Sequence, residues 1–372
     1  MLGRRLDGVA AGVALLCLMA GCGSDAAPAA QPEAPPTEPA VKCDAGKVAG
    51  QLGDCLPAGA VELFHEFGTQ TTQPGEEVTG RCRSWTLNNE TDLFVNSVHF
   101  VQNEGSHHAN FEFVPDRAFD GPDGFWNCAD RSYDFYVATA QGGVLFAQST
   151  QATDETQAFP EGAAIRIPAH SRVLSDVHLL NTTDQVIEGR VRLSVVTLPP
   201  EQVTTDLYPF HIEYGDLHIA PQTTTRFTAT CDLATTVSAA TGSPFAPQLF
   251  FTKPHTHKWG RRVFMNVLGG PLDGQKIFSV GAYNGEGHGM TYDPPLDLTG
   301  AQGFTYGCEY TNSGDTELTW GFADGEMCEI FGFVSGEPFF WASVYQGHDM
   351  GMDGTTVLQG GDCIPTVMGT LP

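Results

Sequence analysis

Hydrophobic positions in this chain recur at two-residue spacing in short runs, and no segment sustains the 3.6-residue period of a long amphipathic helix. Leu93 to Val101 is one such run. Val191, Leu193 and Val195 alternate with polar neighbours, Val263, Met265 and Val267 do the same just after Arg262, and Phe304, Tyr306, Cys308 and Tyr310 share one face of a strand. Val, Phe, Thr and Tyr fill these runs while Gly, Pro, Asn and Asp separate them, so the pattern predicts an all-β protein of antiparallel sandwiches. A break at Leu198-Pro199-Pro200-Glu201 divides the body into two portions of similar length. The expectation is two tandem, jelly-roll-like β-sandwich domains, 61–200 and 201–372.

The N-terminus departs from this pattern. Arg4 and Arg5 precede an apolar run from Val9 to Ala20 that ends in Met19-Ala20-Gly21-Cys22. That arrangement resembles a bacterial lipoprotein signal, with 1–21 removed and Cys22 carrying lipid. The apolar run falls short of the ~20 residues a spanning helix needs, and Gly, Pro, Asp or Asn interrupts every later run. Residues 23 to about 41 are Ala, Pro and Glu with hardly a large side chain, the composition of a solvated tether, so 22–60 reads as that tether plus a small disulfide loop. The expected location is the bacterial cell envelope, periplasm-facing or at the surface, with the membrane touched only through the lipid.

Lys+Arg of 18 against Asp+Glu of 44, a formal net charge of -26, sets aside nucleic acid and anionic lipid faces as partners. Without Cys17 and Cys22, the mature chain keeps Cys43, Cys55, Cys82, Cys128, Cys231, Cys308, Cys328 and Cys363. An even number in an exported protein suggests disulfides, and the absence of any Cys-x-x-Cys disfavours zinc-ribbon and thioredoxin chemistry. The short polar loop between Cys43 and Cys55 is most simply closed on itself.

No Gly-x-Ser-x-Gly, His-Glu-x-x-His or complete P-loop occurs, but 12 histidines do, several in pairs. His255-Thr256-His257 places two imidazoles on one face of a strand, a natural metal clamp, though such pairs also arise by chance on surfaces. Adjacent His107 and His108 would face opposite ways on a regular strand, so joint ligation requires a bulge or strand end, which Gly105 and Ser106 could provide; otherwise one ring is core and the other wet. On its own, His178 reads as a satisfied core histidine and Met327 as core filling. His65, His99, His170, His211, His218 and His288 read as bland, with His288 a possible cleft residue. His348-Asp-Met350-Gly-Met352 reads as a surface loop rather than a copper-scavenging tail, and Asp120-Gly-Pro-Asp123 as a turn rather than a calcium loop.

Taken together and in order, Ser106-His107-His108, Leu174-Ser-Asp-Val-His178, Lys253-Pro-His255-Thr-His257-Lys-Trp-Gly-Arg261, Cys308 and Gly325-Glu-Met327-Cys328 resemble the copper type II, ascorbate-dependent monooxygenases. That family includes peptidylglycine α-hydroxylating monooxygenase and dopamine β-hydroxylase. The resemblance spans roughly Cys82 to Cys363 and is thin between the motifs. It implies two coppers per chain, one per domain, facing each other across a cleft. His107, His108 and His178 would hold the copper that receives electrons from ascorbate or another one-electron reductant. His255, His257 and Met327 would hold the copper that meets O₂. The soft thioether suits Cu(I), and three protein ligands leave a position open, as at catalytic metal sites generally. The implied reaction is hydroxylation of a C–H bond of a small organic substrate; the alternative is a non-enzymatic copper-binding lipoprotein on the same scaffold.

The family's disulfides imply Cys82 with Cys128, Cys308 with Cys328 and Cys231 with Cys363, leaving Cys43 with Cys55. Where the peptide-amidating relatives anchor a substrate carboxylate with Arg, Asn and Tyr, this chain has Lys253, Glu329 and Phe331. Lys253 lacks the planar fork, Glu329 would repel an anion and Phe331 offers no hydrogen bond, which points to a neutral or cationic substrate.

Overall fold

The computed structural model describes residues 43–368, apart from 45–46, 104–105, 150–151, 182, 282–285, 322–324, 339 and the side chains of 106–108. The expected signal peptide, Cys22 and the tether to residue 42 lie outside the described residues. The chain is nearly all β, in stacked, mostly antiparallel sheets, as the two-residue periodicity predicts. Among the described residues the α-helices are Phe135–Gln141 and Ala234–Thr241, and no helix is long and apolar enough to cross a membrane.

One 11-stranded sheet runs through both halves. Its N-terminal strands, among them Leu93–Gln102 and Ile187–Leu198, pack on a 6-stranded sheet through Phe100, Phe111, Phe113, Phe146, Val173 and Leu193, all essentially buried. Its C-terminal strands pack on a second 6-stranded sheet through Phe210, Ile212, Phe227, Met265, Phe304 and Tyr306. The strands on either side of the expected boundary are joined: Ala163 to Ile165 pair in parallel with Thr205 to Leu207. The Pro200–Gln202 turn links Ile187–Leu198 to Thr205–Tyr214, and these two strands run in the same direction within the one sheet.

Alternation explains which side chains meet. In Thr205–Tyr214, Phe210, Ile212 and Tyr214 enter the C-terminal core, so His211 and Glu213 face the other way. In Glu329–Ser335, Ile330 and Val334 join that core, while Phe331 and Phe333 turn towards the N-terminal half. This second face of the C-terminal strands carries the chemistry described below.

The four disulfides are Cys43–Cys55, Cys82–Cys128, Cys231–Cys363 and Cys308–Cys328, the pairing the resemblance implies. Each constrains the unfolded chain by ~2–4 kcal/mol on the loop-entropy account. They fit a protein of an oxidising compartment rather than the cytosol. Two surface expectations resolve differently. The Asp120–Asp123 segment is a structural turn: Asp123 accepts hydrogen bonds from Thr86 and Arg172. The His348 segment is not a loop but an edge strand, Gly347–Asp353, bulged between Asp349 and Gly351, with Met350 and Met352 exposed.

The Cys43–Cys55 loop is held to the N-terminal sandwich by His99, whose Nδ1 meets Asp54 and whose Nε2 lies 2.8 Å from Asp154. Burial alone lowers the His99 pKa, but the two carboxylates outweigh it and the net shift is upward. A histidine with both nitrogens on carboxylates is most stable as the cation. The stabilisation is therefore present below the ordinary value near 6.5 and fades as pH rises through the elevated folded value. Thermal melts of the wild type should show a loss of stability as pH rises above about 6.5 that His99→Gln lacks. Parallel pH profiles for the two proteins would contradict the assignment.

Candidate functional site

Two rungs of the 11-stranded sheet contribute His211, Lys253, His255, Glu329, Phe331 and Trp341 to the floor of a pocket of about 140 Å³. In the first, Ser343, Glu213, Glu329 and His255 lie side by side on successive strands. In the next, Trp341, His211, Phe331 and Lys253 do the same. Directly paired residues point to one side, so a polar row runs beside a largely aromatic one. The opposite wall comes from the N-terminal half: Asn110, Ala147, Gln148 and Asp176, with Phe135 and Tyr136 from the first turn of a helix capped by Asp134.

His255 and Met327 both line this pocket, and all three sulfur and imidazole residues of the expected oxygen-side cluster are buried. The His255 and His257 ring centroids lie 5.3 Å apart. Burial, then the neighbouring His257, pushes the His255 pKa down to about 3, and burial lowers that of His257, so both rings are neutral at physiological pH. His257 Nδ1 donates to the Gly325 carbonyl at 2.8 Å. That bond selects the tautomer that leaves Nε2 as the ligating atom.

The Gly325-Glu-Met-Cys segment fixes the rest. Glu326 is fully buried and accepts the backbone N–H groups of His257 at 2.9 Å and Trp259 at 2.7 Å, one on each oxygen. Burial pushes its pKa up to about 7 against the pull of those amides. Met327 is held through its carbonyl, which accepts from Tyr310 Oη at 2.6 Å, and by the Cys308–Cys328 bond next to it. The donor set fits a soft cation such as Cu(I): two neutral imidazoles and a thioether, with their backbones locked.

The expected electron-side residues His107, His108 and His178 are neighbours at the level of the backbone. His108 is the ladder partner of His178 and Ser106 that of Leu179, so His107 is the extra residue of a bulge, as joint ligation requires. The side chains of His107 and His108 lie outside the described residues. His178 is buried, with Nε2 2.7 Å from Glu77 Oε1. It opens on a second pocket of about 510 Å³, and Phe135 and Asp176 line both pockets.

The three cleft candidates, Lys253, Glu329 and Phe331, all line the first pocket. The Lys253 ammonium is not turned to its centre, however. It pairs with Glu155 at 3.2 Å, donates to the Ala147 carbonyl and sits 4.1 Å from the Phe146 ring centroid. Burial alone would raise Glu329, but the approach of His211 brings it below its ordinary value. His211, read as bland from sequence, stacks on Phe331 at 4.1 Å and stands edge-on to Trp341 at 4.0 Å. The signal that exposes His211 and Glu213 is the same i, i+2 spacing that marks His255 and His257.

The Glu326 clamp yields a direct expectation. Glu326→Gln removes one acceptor and turns an amide NH₂ towards an N–H, so stability should fall by ~1–3 kcal/mol in denaturant titrations. Amide exchange at His257 and Trp259 should accelerate while the sheet strands stay protected. Unchanged exchange at both amides would remove Glu326 from this role.

No family model matches the chain, and no curated protein matches it. Among solved structures, it is similar to one titled "Crystal Structure of the STIV MCP", at 9% identity and a TM-score of 0.30, covering 74% of this chain and 96% of that one. It is also similar to one titled "Crystal structure of PBCV-1 VP54 fitted into a cryo-EM reconstruction of the virophage Sputnik", at 10% identity and a TM-score of 0.19, covering 74% and 93%.

Proposed function

We propose that this chain is a copper-dependent monooxygenase that hydroxylates a C–H bond of a small organic substrate, using O₂ and a one-electron reductant such as ascorbate. The observation that carries the reading is the meeting of His255 and Met327 in one pocket, beside a His257 whose tautomer is set by Gly325. Copper bound there would supply one-electron redox chemistry and activation of O₂. The chain's own residues do the rest. Burial keeps the imidazoles unprotonated, Glu326 and Tyr310 hold the loops that present His257 and Met327, and Phe135, Tyr136, Phe331 and Trp341 enclose an apolar space for substrate. His107, His108 and His178 would hold the second copper, with Glu77 orienting His178. We further propose that Cys22 bears lipid and tethers the protein to a bacterial envelope.

Metal analysis of the reduced protein should find two coppers per chain, and His107→Ala or His255→Ala should each remove one. Met327→Ile, which conserves bulk, should keep the fold but weaken Cu(I) retention and abolish reductant-dependent O₂ uptake. Copper binding without O₂ uptake across a panel of neutral and cationic aromatic substrates would favour the non-enzymatic copper-binding lipoprotein.

The pocket also bears on substrate charge. With Lys253 neutralised by Glu155, no unpaired Lys or Arg among the described lining residues faces a carboxylate, whereas Glu329 opposes one. A glycine-extended peptide should therefore be hydroxylated far more slowly than an arylalkylamine, with product followed by mass. Efficient turnover of the peptide would overturn the charge argument.

A further inference from the structure

Glu213 and Glu329 are buried and directly opposed across two antiparallel strands, an arrangement that like charges destabilise unless something lies between them. His211, two residues along the same strand, is 2% exposed. Its Nε2 reaches Glu329 only at 3.5 Å, and neither ring nitrogen makes a well-aligned hydrogen bond among the described residues. One oxygen of Glu213 is likewise buried without a partner. One donor atom from each of the three residues lies within 4.8 Å of the others. Shifts of less than ~1 Å would bring all three to the ~2.0–2.2 Å of a first-row metal bond.

We propose that His211, Glu213 and Glu329 form a binding site for a divalent first-row cation, distinct from the imidazole and thioether clusters. Two carboxylates and one imidazole are hard to borderline ligands that suit Mn²⁺, Fe²⁺ or Zn²⁺ rather than Cu(I). Phe331 and Trp341 hold the His211 ring in place from its face and its edge. The two carboxylates balance the charge of the ion, so it gives the pocket no net attraction for an anionic substrate. The site stands whether or not the protein binds copper.

Mn²⁺ is the discriminating probe, because it ranks lowest in affinity for imidazole-rich sites and favours carboxylates. The full chain, stripped of metal by a chelator, is titrated with Mn²⁺, and free ion is counted by its electron paramagnetic resonance signal. Wild type should bind one Mn²⁺ per chain above the weak background of the acidic surface and should melt higher with the ion present. Glu213→Gln and His211→Ala should each weaken that binding at least ~10-fold and erase the thermal shift, while Met327→Ile leaves both intact. Metal-free Glu213→Gln, relieved of the opposed charges, should melt no lower than wild type, which separates loss of a ligand from loss of the fold. Absence of a tight Mn²⁺ site, or binding unaffected by both variants, would overturn the proposal and assign any bound ion to surface carboxylates.

Discussion

The parallel pairing of Ala163 to Ile165 with Thr205 to Leu207 is the constraint on which the pocket depends. Through those few rungs the strands of both halves become one sheet, so the second face of the C-terminal strands is fixed against the N-terminal sandwich instead of opening to water. Phe251 and Phe333 seal one end of that face into the N-terminal core. Further along, polar groups replace the aromatic ones, and each must then be matched by another group because water cannot reach it.

That requirement accounts for the charge pattern. Lys253 is cancelled by Glu155, Glu326 by two backbone amides, and His178 meets Glu77. Neutral rings at His255 and His257 follow from the same exclusion of solvent, which penalises a positive charge there before any neighbour is considered. Preorganisation and ring neutrality at this site thus have a common physical origin.

Much of this was legible from the sequence, and the part that was not has a definite cause. Two-residue alternation marks individual strands, so the all-β class and the shared face of Phe304, Tyr306, Cys308 and Tyr310 could be read directly. Cysteine pairing came through a family resemblance, since eight sulfurs alone leave many connectivities open. Register between distant strands has no local signature. Nothing in the sequence sets Glu213 opposite Glu329, or turns Lys253 onto a glutamate about a hundred residues upstream. His99 reads as bland for the same reason, because its partners Asp54 and Asp154 come from two other segments.

The Gly347–Asp353 strand lies at the open margin of its sheet, where unpaired N–H and C=O groups would ordinarily invite another chain to add on. Its bulge breaks the regular donor spacing, Gly351 adopts φ 86, and Asp349 and Asp353 place negative charge along the rim. A neighbouring molecule approaching this rim would meet a kinked template and the repulsion of its own acidic surface. The protein can therefore expose Met350 and Met352 at a sheet margin and still resist edge-to-edge aggregation when crowded.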